Sequence, residues 1–457
     1  MALSAAADTI AAIATGAGPG GIGVIRLSGP EGPRIARDLG SGALRPRYAH
    51  YVHLRDRGGA FLDEAIVIAY PAPHSFTGED VVELQCHGSP VLLRSLLGEC
   101  LALGARQAAP GEFSQRAFLN GRIDLVQAEA IADLIDSSSE AAARSAARSL
   151  SGTFSARVAS LLQELTELRV FVEAAIDFPE EEIDFIADSD VLQRLTRLQE
   201  TLDRTLQAAR RGRVLHDGIK LVLAGVPNAG KSSLLNGLAE TDSAIVTPIP
   251  GTTRDLLREH IHIDGLPLHI VDTAGLRDSG DAVEREGIRR AREEMADADR
   301  ILLVIDDSGP DAGRGAAALR QRFRAALPQD VPVTLLHNKC DLSGRPPRLE
   351  REGEHHRIWL SARSGAGMDL LRTHLRECAG LRGEHHGDFS ARQRHIDALQ
   401  RTADHLRAAG QQLTAHGAAE LLAEDLRYAQ DSLASVTGEF TSDDLLGEIF
   451  SSFCIGK

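Results

Sequence analysis

The chain has 457 residues, of which 43% are hydrophobic, 25% charged and only 4% aromatic, with a formal net charge of −15. That length holds two to four domains with cores built on Leu, Ile, Val and Ala, and the acidic balance argues against a broad nucleic-acid surface while leaving room for a local basic patch. Five scattered cysteines (Cys86, Cys100, Cys340, Cys378 and Cys454) without a C-x-x-C pair argue against a disulfide framework or a zinc site.

The N-terminal stretch is Ala-rich but lacks a cationic start and a long apolar core, so it does not read as a signal peptide. No run approaches a membrane span, and a cytoplasmic protein is expected. Up to about residue 118 the chain reads as strands, turns and short helices. Val24–Leu27, Glu64–Ala69 and Asp80–Leu84 are strand-like and separated by Gly/Pro clusters. Gly16, Gly18 and Gly21 match G-x-G-x-x-G, as do Gly18, Gly20 and Gly23. A dinucleotide site needs a helix next, yet Val24–Leu27 reads as strand, so a sharp structural or ligand-facing turn is expected instead.

From about 119 to 215 the apolar period becomes helical, with Ile131, Leu134 and Ile135, then Leu161, Leu165, Leu168, Val172 and Ile176 at three- and four-residue spacing. Between helices lies Asp177–Phe185, where Pro179 can open a helix with acids in its first turn. A capped, solvated turn is expected there rather than a metal site.

The segment from about 216 to 379 carries four motifs in order. Lys220–Ala224 is an apolar strand leading into Gly225-Val226-Pro227-Asn228-Ala229-Gly230-Lys231-Ser232, with a helix from Ser233 to Leu238. Strand, Gly-rich loop and helix form a phosphate cradle: backbone N–H groups and the helix N-terminus meet phosphate oxygens. Lys231 reaches the β- and γ-phosphates, and Ser232 supplies a Mg²⁺ ligand. His269–Gly275 is a second strand ending in Asp272-Thr273-Ala274-Gly275, where Asp272 suits a Mg²⁺-holding carboxylate and the Gly275 N–H suits the γ-phosphate.

Val333–His337 leads into Asn338-Lys339-Cys340-Asp341, whose Asp341 carboxylate can accept both the ring N–H and the exocyclic amine of guanine. Ile358–Leu360 then leads into Ser361-Ala362-Arg363, where backbone N–H groups can meet the guanine carbonyl. The nucleotide is therefore GTP, with Ser233, Thr273 and Ala274 as further contacts.

Leu276 follows Gly275 where Ras-like switches carry a water-positioning Gln, so another arrangement is required. Asn228 in the loop is either a stabilising amide or an oxygen ligand beside the phosphates. The segment Thr247-Pro248-Ile249-Pro250-Gly251-Thr252-Thr253-Arg254-Asp255 offers dense carbonyls and hydroxyls. Thr253 is expected to complete the Mg²⁺ shell, and the remaining oxygens can cage a monovalent cation where an arginine finger would otherwise act.

After this segment, Phe389–Leu446 is helical again, so the GTP-binding unit is inserted into a helical host. The pairs His355-His356 and His385-His386 lack ligand partners at useful spacing and read as loop residues. The terminal Phe450-Ser451-Ser452-Phe453-Cys454-Ile455-Gly456-Lys457 is apolar enough for a docked tail and does not fit a prenylation box.

Several motifs, spread over all three regions of the chain, resemble the MnmE (TrmE) family of tRNA-modification GTPases. They are Pro19-Gly20-Gly21-Ile22-Gly23-Val24, His74-Ser75-Phe76-Thr77-Gly78-Glu79-Asp80, Pro110–Gly121, the Asp177–Ile183 turn, the Gly251–Asp255 switch and Cys454-Ile455-Gly456-Lys457. The resemblance implies an α/β plus all-α protein of three parts. These are an N-terminal α+β folate-binding and dimerisation domain (1–118), a discontinuous helical domain (119–215 and 380–457) and an inserted Ras-like P-loop GTPase domain (216–379).

It implies a homodimer, and a complex with the FAD-dependent partner MnmG (GidA) as a heterotetramer or larger. Together they would add an aminomethyl or carboxymethylaminomethyl group to carbon 5 of the wobble uridine of certain tRNAs, using 5,10-methylene-tetrahydrofolate or a 5-formyl relative. It further implies K⁺-dependent pairing of the GTPase domains, with Asn228, Thr247, Ile249 and Thr252 as K⁺ ligands and Ser232 and Thr253 as Mg²⁺ ligands. Glu284, rather than Glu286, matches the family's water-orienting glutamate. The folate-contacting positions match Arg26, Glu83, Arg122 and Lys457. Arg122 departs from the lysine common in the family, and Pro248 and Pro250 stiffen the K⁺ loop.

A rival is a stand-alone ribosome-assembly GTPase of the Era or Der type. A second is a folate-binding scaffold with a vestigial GTPase. The single phosphate loop counts against the first, and the intact nucleotide motifs against the second.

Overall fold

The computed structural model describes residues 8–177, 191–239, 258–263, 266–272, 293–310, 312, 328, 331–352, 355–380, 389–416, 419–439, 443–451, 453 and 456. Two compact units emerge, one of residues 1–132, 155–171 and 423–457, the other of 133–154 and 172–422.

The first unit is built on a six-stranded sheet. Its strands are β1 (Ile10–Ile13), β2 (Gly20–Ser28), β3 (His50–Arg55), β4 (Phe61–Tyr70), β5 (Val81–Gly88) and β6 (Arg106–Gln107), in the order β3-β4-β5-β2-β1-β6. All pairs are antiparallel except β1 with β6. In β4 burial alternates residue by residue through Asp63, Ala65, Val67 and Ala69, as a sheet with one covered face requires.

The covered face joins Ile25, Leu27, Val67 and Leu84 to Ile35 of α1 (Gly32–Ala36) and to Leu93 and Leu96 of α2 (Pro90–Ala102). A smaller cluster forms below α3 (Glu112–Leu119) and α4 (Leu125–Asp136), where Leu125 and Ala128 meet Leu446, Ile449, Phe450 and Phe453. Gly456 sits against β1, so close that a Cβ there would lie 2.2 Å from the Ile13 carbonyl oxygen.

The second unit holds a seven-stranded sheet. Its strands are β7 (Ile219–Gly225), β8 (Arg258–Ile263), β9 (Leu266–Asp272), β10 (Arg300–Asp306), β11 (Val333–Asn338), β12 (Arg348–Glu352) and β13 (His355–Trp359). The order is β12-β13-β11-β10-β7-β9-β8, and the five central strands are parallel. β7 and β11 read as continuous apolar runs because both faces are covered. One face packs Leu221, Leu223, Leu302 and Leu336, the other Val222, Ala224, Leu303 and Leu335. His355 and His356 fall in β13, not in a loop: the antiparallel pairing of β12 with β13 overrides the weak strand propensity of the pair.

Helix α5 is Glu140–Leu150, α6 is Thr153–Asp177 and α7 is Val191–Asp217. After α8 (Lys231–Ala239), α9 (Cys340–Ser343) and α10 (Met368–Cys378) come α11 (Gln393–His416), α12 (Ala419–Thr437) and α13 (Asp443–Ser451). Gln199 Nε2 donates to the Leu406 carbonyl (2.8 Å) and Arg210 Nη2 to Gln400 Oε1 (3.0 Å), so α7 and α11 run antiparallel.

The nucleotide-sheet segment leaves α7 and returns at α11, and one buried carboxylate holds both crossings. Asp133 Oδ1 lies 3.0 Å from His216 Nε2 and 2.6 Å from Arg392 Nη2. The bonds to Asp133 and Asp217 raise the His216 imidazole to about 9, and His216 and Arg392 draw Asp133 below the usual carboxylate range despite its burial.

Candidate functional site

The parallel strands end at one edge, which is where an open α/β sheet binds its ligand. Register fixes this: Val304 pairs with Gly225, Leu223 with Asp272, Asp306 with Asn338, and His337 with Trp359. All four motif-bearing strands, β7, β9, β11 and β13, thus deliver their loops to the same side.

The phosphate loop leaves β7 where a side chain cannot fit. Gly225 has φ +149°, and a Cβ would stand 2.3 Å from the Val304 carbonyl oxygen. At Gly230 (φ +93°) a Cβ would collide with Asn338 Nδ2 at 2.3 Å. Asn228 takes a left-handed conformation (φ 64°) and is exposed, while Ala229 is fully buried. Lys231 opens α8 and turns back, its Nζ 3.1 Å from the Gly225 carbonyl oxygen and 3.4 Å from that of Val226. Ser232 and Ser233 are exposed on the first turn of α8, where the helix N-terminus favours anions. A serine hydroxyl beside an ammonium at a helix N-terminus fits a Mg²⁺–phosphate group.

The guanine-reading loop is tied to this cradle. Asn338 Nδ2 donates to the Ala229 carbonyl (2.8 Å), and Asn338 Oδ1 accepts from the Ala362 N–H (3.0 Å). Lys339 Nζ donates to the Asn228 carbonyl (2.7 Å) and to Asp306 Oδ2 (2.6 Å), which holds the Asp306 carboxyl below its ordinary range against the opposing effect of burial. Asp341 is exposed.

The last motif differs in detail from its reading in sequence. Ser361 N–H donates to the Ala366 carbonyl (2.8 Å) and Ala362 N–H to Asn338, so two of the three expected backbone donors are engaged in shaping the loop. Arg363 N–H makes no such bond among the described residues. Asp272 ends β9, beside Leu223 of β7. Thr247, Pro248, Ile249, Pro250, Gly251, Thr252, Thr253, Thr273, Ala274, Gly275 and Glu284 lie outside the described residues, as do the Asp177 turn beyond its first residue, His385, His386 and Cys454.

A second constellation sits on the N-terminal sheet. Arg26 of β2 and Glu83 of β5 are register partners, and both Nε (3.1 Å) and Nη2 (2.9 Å) donate to Glu83 Oε1. The guanidinium also lies 5.5 Å from the Phe76 ring centre and 5.8 Å from that of Phe113. Arg122 follows α3, and its side chain lies against Gly78, where an added Cβ would meet Arg122 Cγ at 3.3 Å. It borders a cavity of about 540 Å³ that Asp124, Gln127, Ser155 and Glu439 also line. Lys457 lies outside the described residues.

Neither Cys86 nor Cys100 can supply thiolate chemistry, because burial pushes them up to about 11 and about 12. Among the described residues no cluster of three or more His, Cys, Asp or Glu is placed to hold a metal, and no helix is long and apolar enough to cross a membrane.

Sequence pattern missed Asp306, Asp307 and His337. A usable signal was present: two acids directly after the apolar run Ile301–Ile305 mark the carboxyl edge of that strand.

Comparison with known proteins agrees with this arrangement. Residues 9–122 match the family model "GTP-binding protein TrmE N-terminus", and residues 125–454 match "MnmE helical domain". The protein called "tRNA modification GTPase MnmE" of Marinobacter nauticus is 56% identical over 454 residues, 99% of each chain. Its namesake in Pseudomonas paraeruginosa is 55% identical over 456 residues, 100% of each. The match runs through both sheets and the helices alike, and the chain belongs to the MnmE family.

Proposed function

We propose that this protein hydrolyses GTP as one component of the system that modifies the wobble uridine of certain tRNAs. The observation that carries the reading is the bond from Asn338 Nδ2 to the Ala229 carbonyl, 2.8 Å, which joins the guanine-reading loop and the phosphate loop into one site. Ala229, Gly230, Lys231, Ser232 and Ser233 hold the phosphates, with Asp272, Thr273, Ala274 and Gly275 at the γ-phosphate. Asn338, Lys339, Asp341, Ser361, Ala362 and Arg363 form the base pocket. Ser232 and Thr253 hold Mg²⁺; Asn228, Thr247, Ile249 and Thr252 hold K⁺, with Pro248, Pro250 and Gly251 shaping that segment. Lys231 stabilises charge that develops in the transition state, and Glu284 orients the attacking water.

Arg26, Glu83, Arg122 and Lys457 hold the tetrahydrofolate donor of the one-carbon unit. A carboxylate suits the pterin's donor edge, and guanidinium and ammonium groups suit the folate carboxylates. Domain limits near 118, 215 and 379, a cytoplasmic homodimer and an FAD-bearing partner complete the reading. Full-length identity to MnmE proteins supports it over a ribosome-assembly GTPase.

The test is nucleoside mass spectrometry of tRNA from a deletion strain carrying this gene or its Asp272→Ala form. Restoration of the carbon-5 modification by the intact gene alone is expected. Failure of the intact gene, with purified protein still turning over GTP, would return the regulatory-GTPase reading.

A further inference from the structure

We propose that Asp307 is a positioning residue for guanine selection, clamping the base-reading loop from both flanks and so fixing where the Asp341 carboxylate stands. The inference rests on reading Asn338-Lys339-Cys340-Asp341 as the guanine loop.

Asp307 follows the last residue of β10, and its side chain is fully buried. Oδ1 accepts from His337 Nδ1 (3.1 Å), the residue before the loop, and from Arg345 Nη1 (3.1 Å), beyond it. Oδ2 accepts from Ser343 Oγ, at the end of α9. The backbone N–H of Asp307 donates to the Asn338 carbonyl (2.8 Å), inside the loop itself. A single residue therefore bonds the chain at 337, 338, 343 and 345, on both sides of Asp341.

His337 is held as a neutral donor. It is fully buried, stacks on Trp359 (centroids 4.5 Å apart, planes at 11°), and its Nε2 faces Arg357 Nη2 at 3.2 Å. An imidazole with its proton on Nδ1 satisfies both neighbours, donating to Asp307 and accepting from Arg357. Burial and the Arg357 charge push it well below its ordinary value, which keeps that tautomer.

The Asp341 carboxylate makes no hydrogen bond or ion pair among the described residues. Its location is set by its anchors and not by its own contacts. Lys339 beside it sits at φ 65°, ψ 34°, a conformation a lysine holds only when its surroundings impose it. Its ammonium bond to Asp306 secures the front of the loop, while Asp307 secures both ends.

Hypoxanthine nucleotides separate this role from plain structural support. They lack only the exocyclic amine that Asp341 accepts, so the preference for GDP over IDP reads the placement of that carboxylate. The experiment measures Kd for GDP and for IDP by competition with fluorescent GDP, on the full-length protein. Asp307→Ala is expected to lower the GDP:IDP preference roughly tenfold, the worth of one hydrogen bond to a charged group, with IDP, which keeps the ring N–H, weakened less than GDP. Asp307→Asn, which keeps an acceptor oxygen, restores part of it.

In an Asp341→Ala background the Asp307 substitution should add nothing to the ratio. Arg345→Ala removes only the exposed end of the clamp and decides the matter should Asp307→Ala not fold; a several-fold fall in the same ratio is expected. Variants that keep the wild-type ratio, or that weaken GDP and IDP equally, overturn the inference and leave the functional reading standing. A wild-type protein without preference for GDP overturns both.

Discussion

The two sheets hold their candidate ligand groups in opposite ways. On the parallel sheet, the bonds Lys231 makes among the described residues go to backbone carbonyls of its own loop, bonds that phosphate oxygens can replace without stranding a charge. On the antiparallel sheet, Arg26 is already committed to Glu83, 57 residues away, in a two-donor ion pair that is mostly buried. A ligand there must share or divide an existing pair, and dividing it strands a half-buried charge. The parallel sheet can thus take a strongly charged ligand without breaking an ion pair. The antiparallel one is organised for a ligand that offers both donors and acceptors.

Substitutions can break or sharpen this contrast. The largest effect is expected at Lys231→Ala, which should lower kcat for GTP about 10²- to 10³-fold, read by phosphate release. Next come matched core deletions, Leu223→Ala in β7 and Leu84→Ala in β5, both fully buried and each costing about 2–5 kcal/mol. Trp359 is the sole tryptophan and lies in the parallel sheet, so its fluorescence reports that sheet alone. Leu223→Ala should lower the Trp359 melting transition and Leu84→Ala should leave it in place, and GDP should raise only that transition. Equal shifts from both would show that the sheets unfold as one.

The His216–Asp133 pair gives a pH effect. Its imidazole is raised from 6.5 to about 9, so its contribution is complete below about 6.5 and is lost as pH rises through 9. Between pH 7 and 9.5 the wild type should lose up to about 2 kcal/mol that His216→Gln does not lose, measured by urea titration. On the proposed folate reading, the smallest effect is expected at Arg26→Ala, about tenfold in tetrahydrofolate affinity by calorimetry.

Legibility in sequence follows the same contrast. The phosphate and base loops are contiguous strings, and parallel strands bring contiguous strings to a common edge without further information. β2, β4, β5, β7, β9, β11 and β13 were visible as apolar or alternating runs. β3 and β12 were not, because His50–Arg55 and Arg348–Glu352 gain strand character only from their antiparallel partners. His355 and His356 misled for that reason. Arg26 and Glu83 are unremarkable within their own segments and become a pair only through the β2–β5 register. Asp133 is harder still: nothing near it in sequence marks an acid in an apolar helix as the partner of residues at 216 and 392.

The meeting of His216 and Arg392 on one oxygen of Asp133 has a topological consequence. Everything from 217 to 391 begins and ends within the reach of a single carboxylate, and a Cβ on Gly212 would touch the Phe389 carbonyl oxygen at 2.1 Å. To α7 and α11, the whole nucleotide-binding sheet is therefore equivalent to a tight hairpin. A few residues could stand in its place with the two helices still antiparallel and in register. α7 also touches the body of the segment, where Arg213 Nη2 stands 3.9 Å from Asp299 Oδ1 and Val214 packs on the core of the sheet, so an exchanged segment would have to supply that surface too.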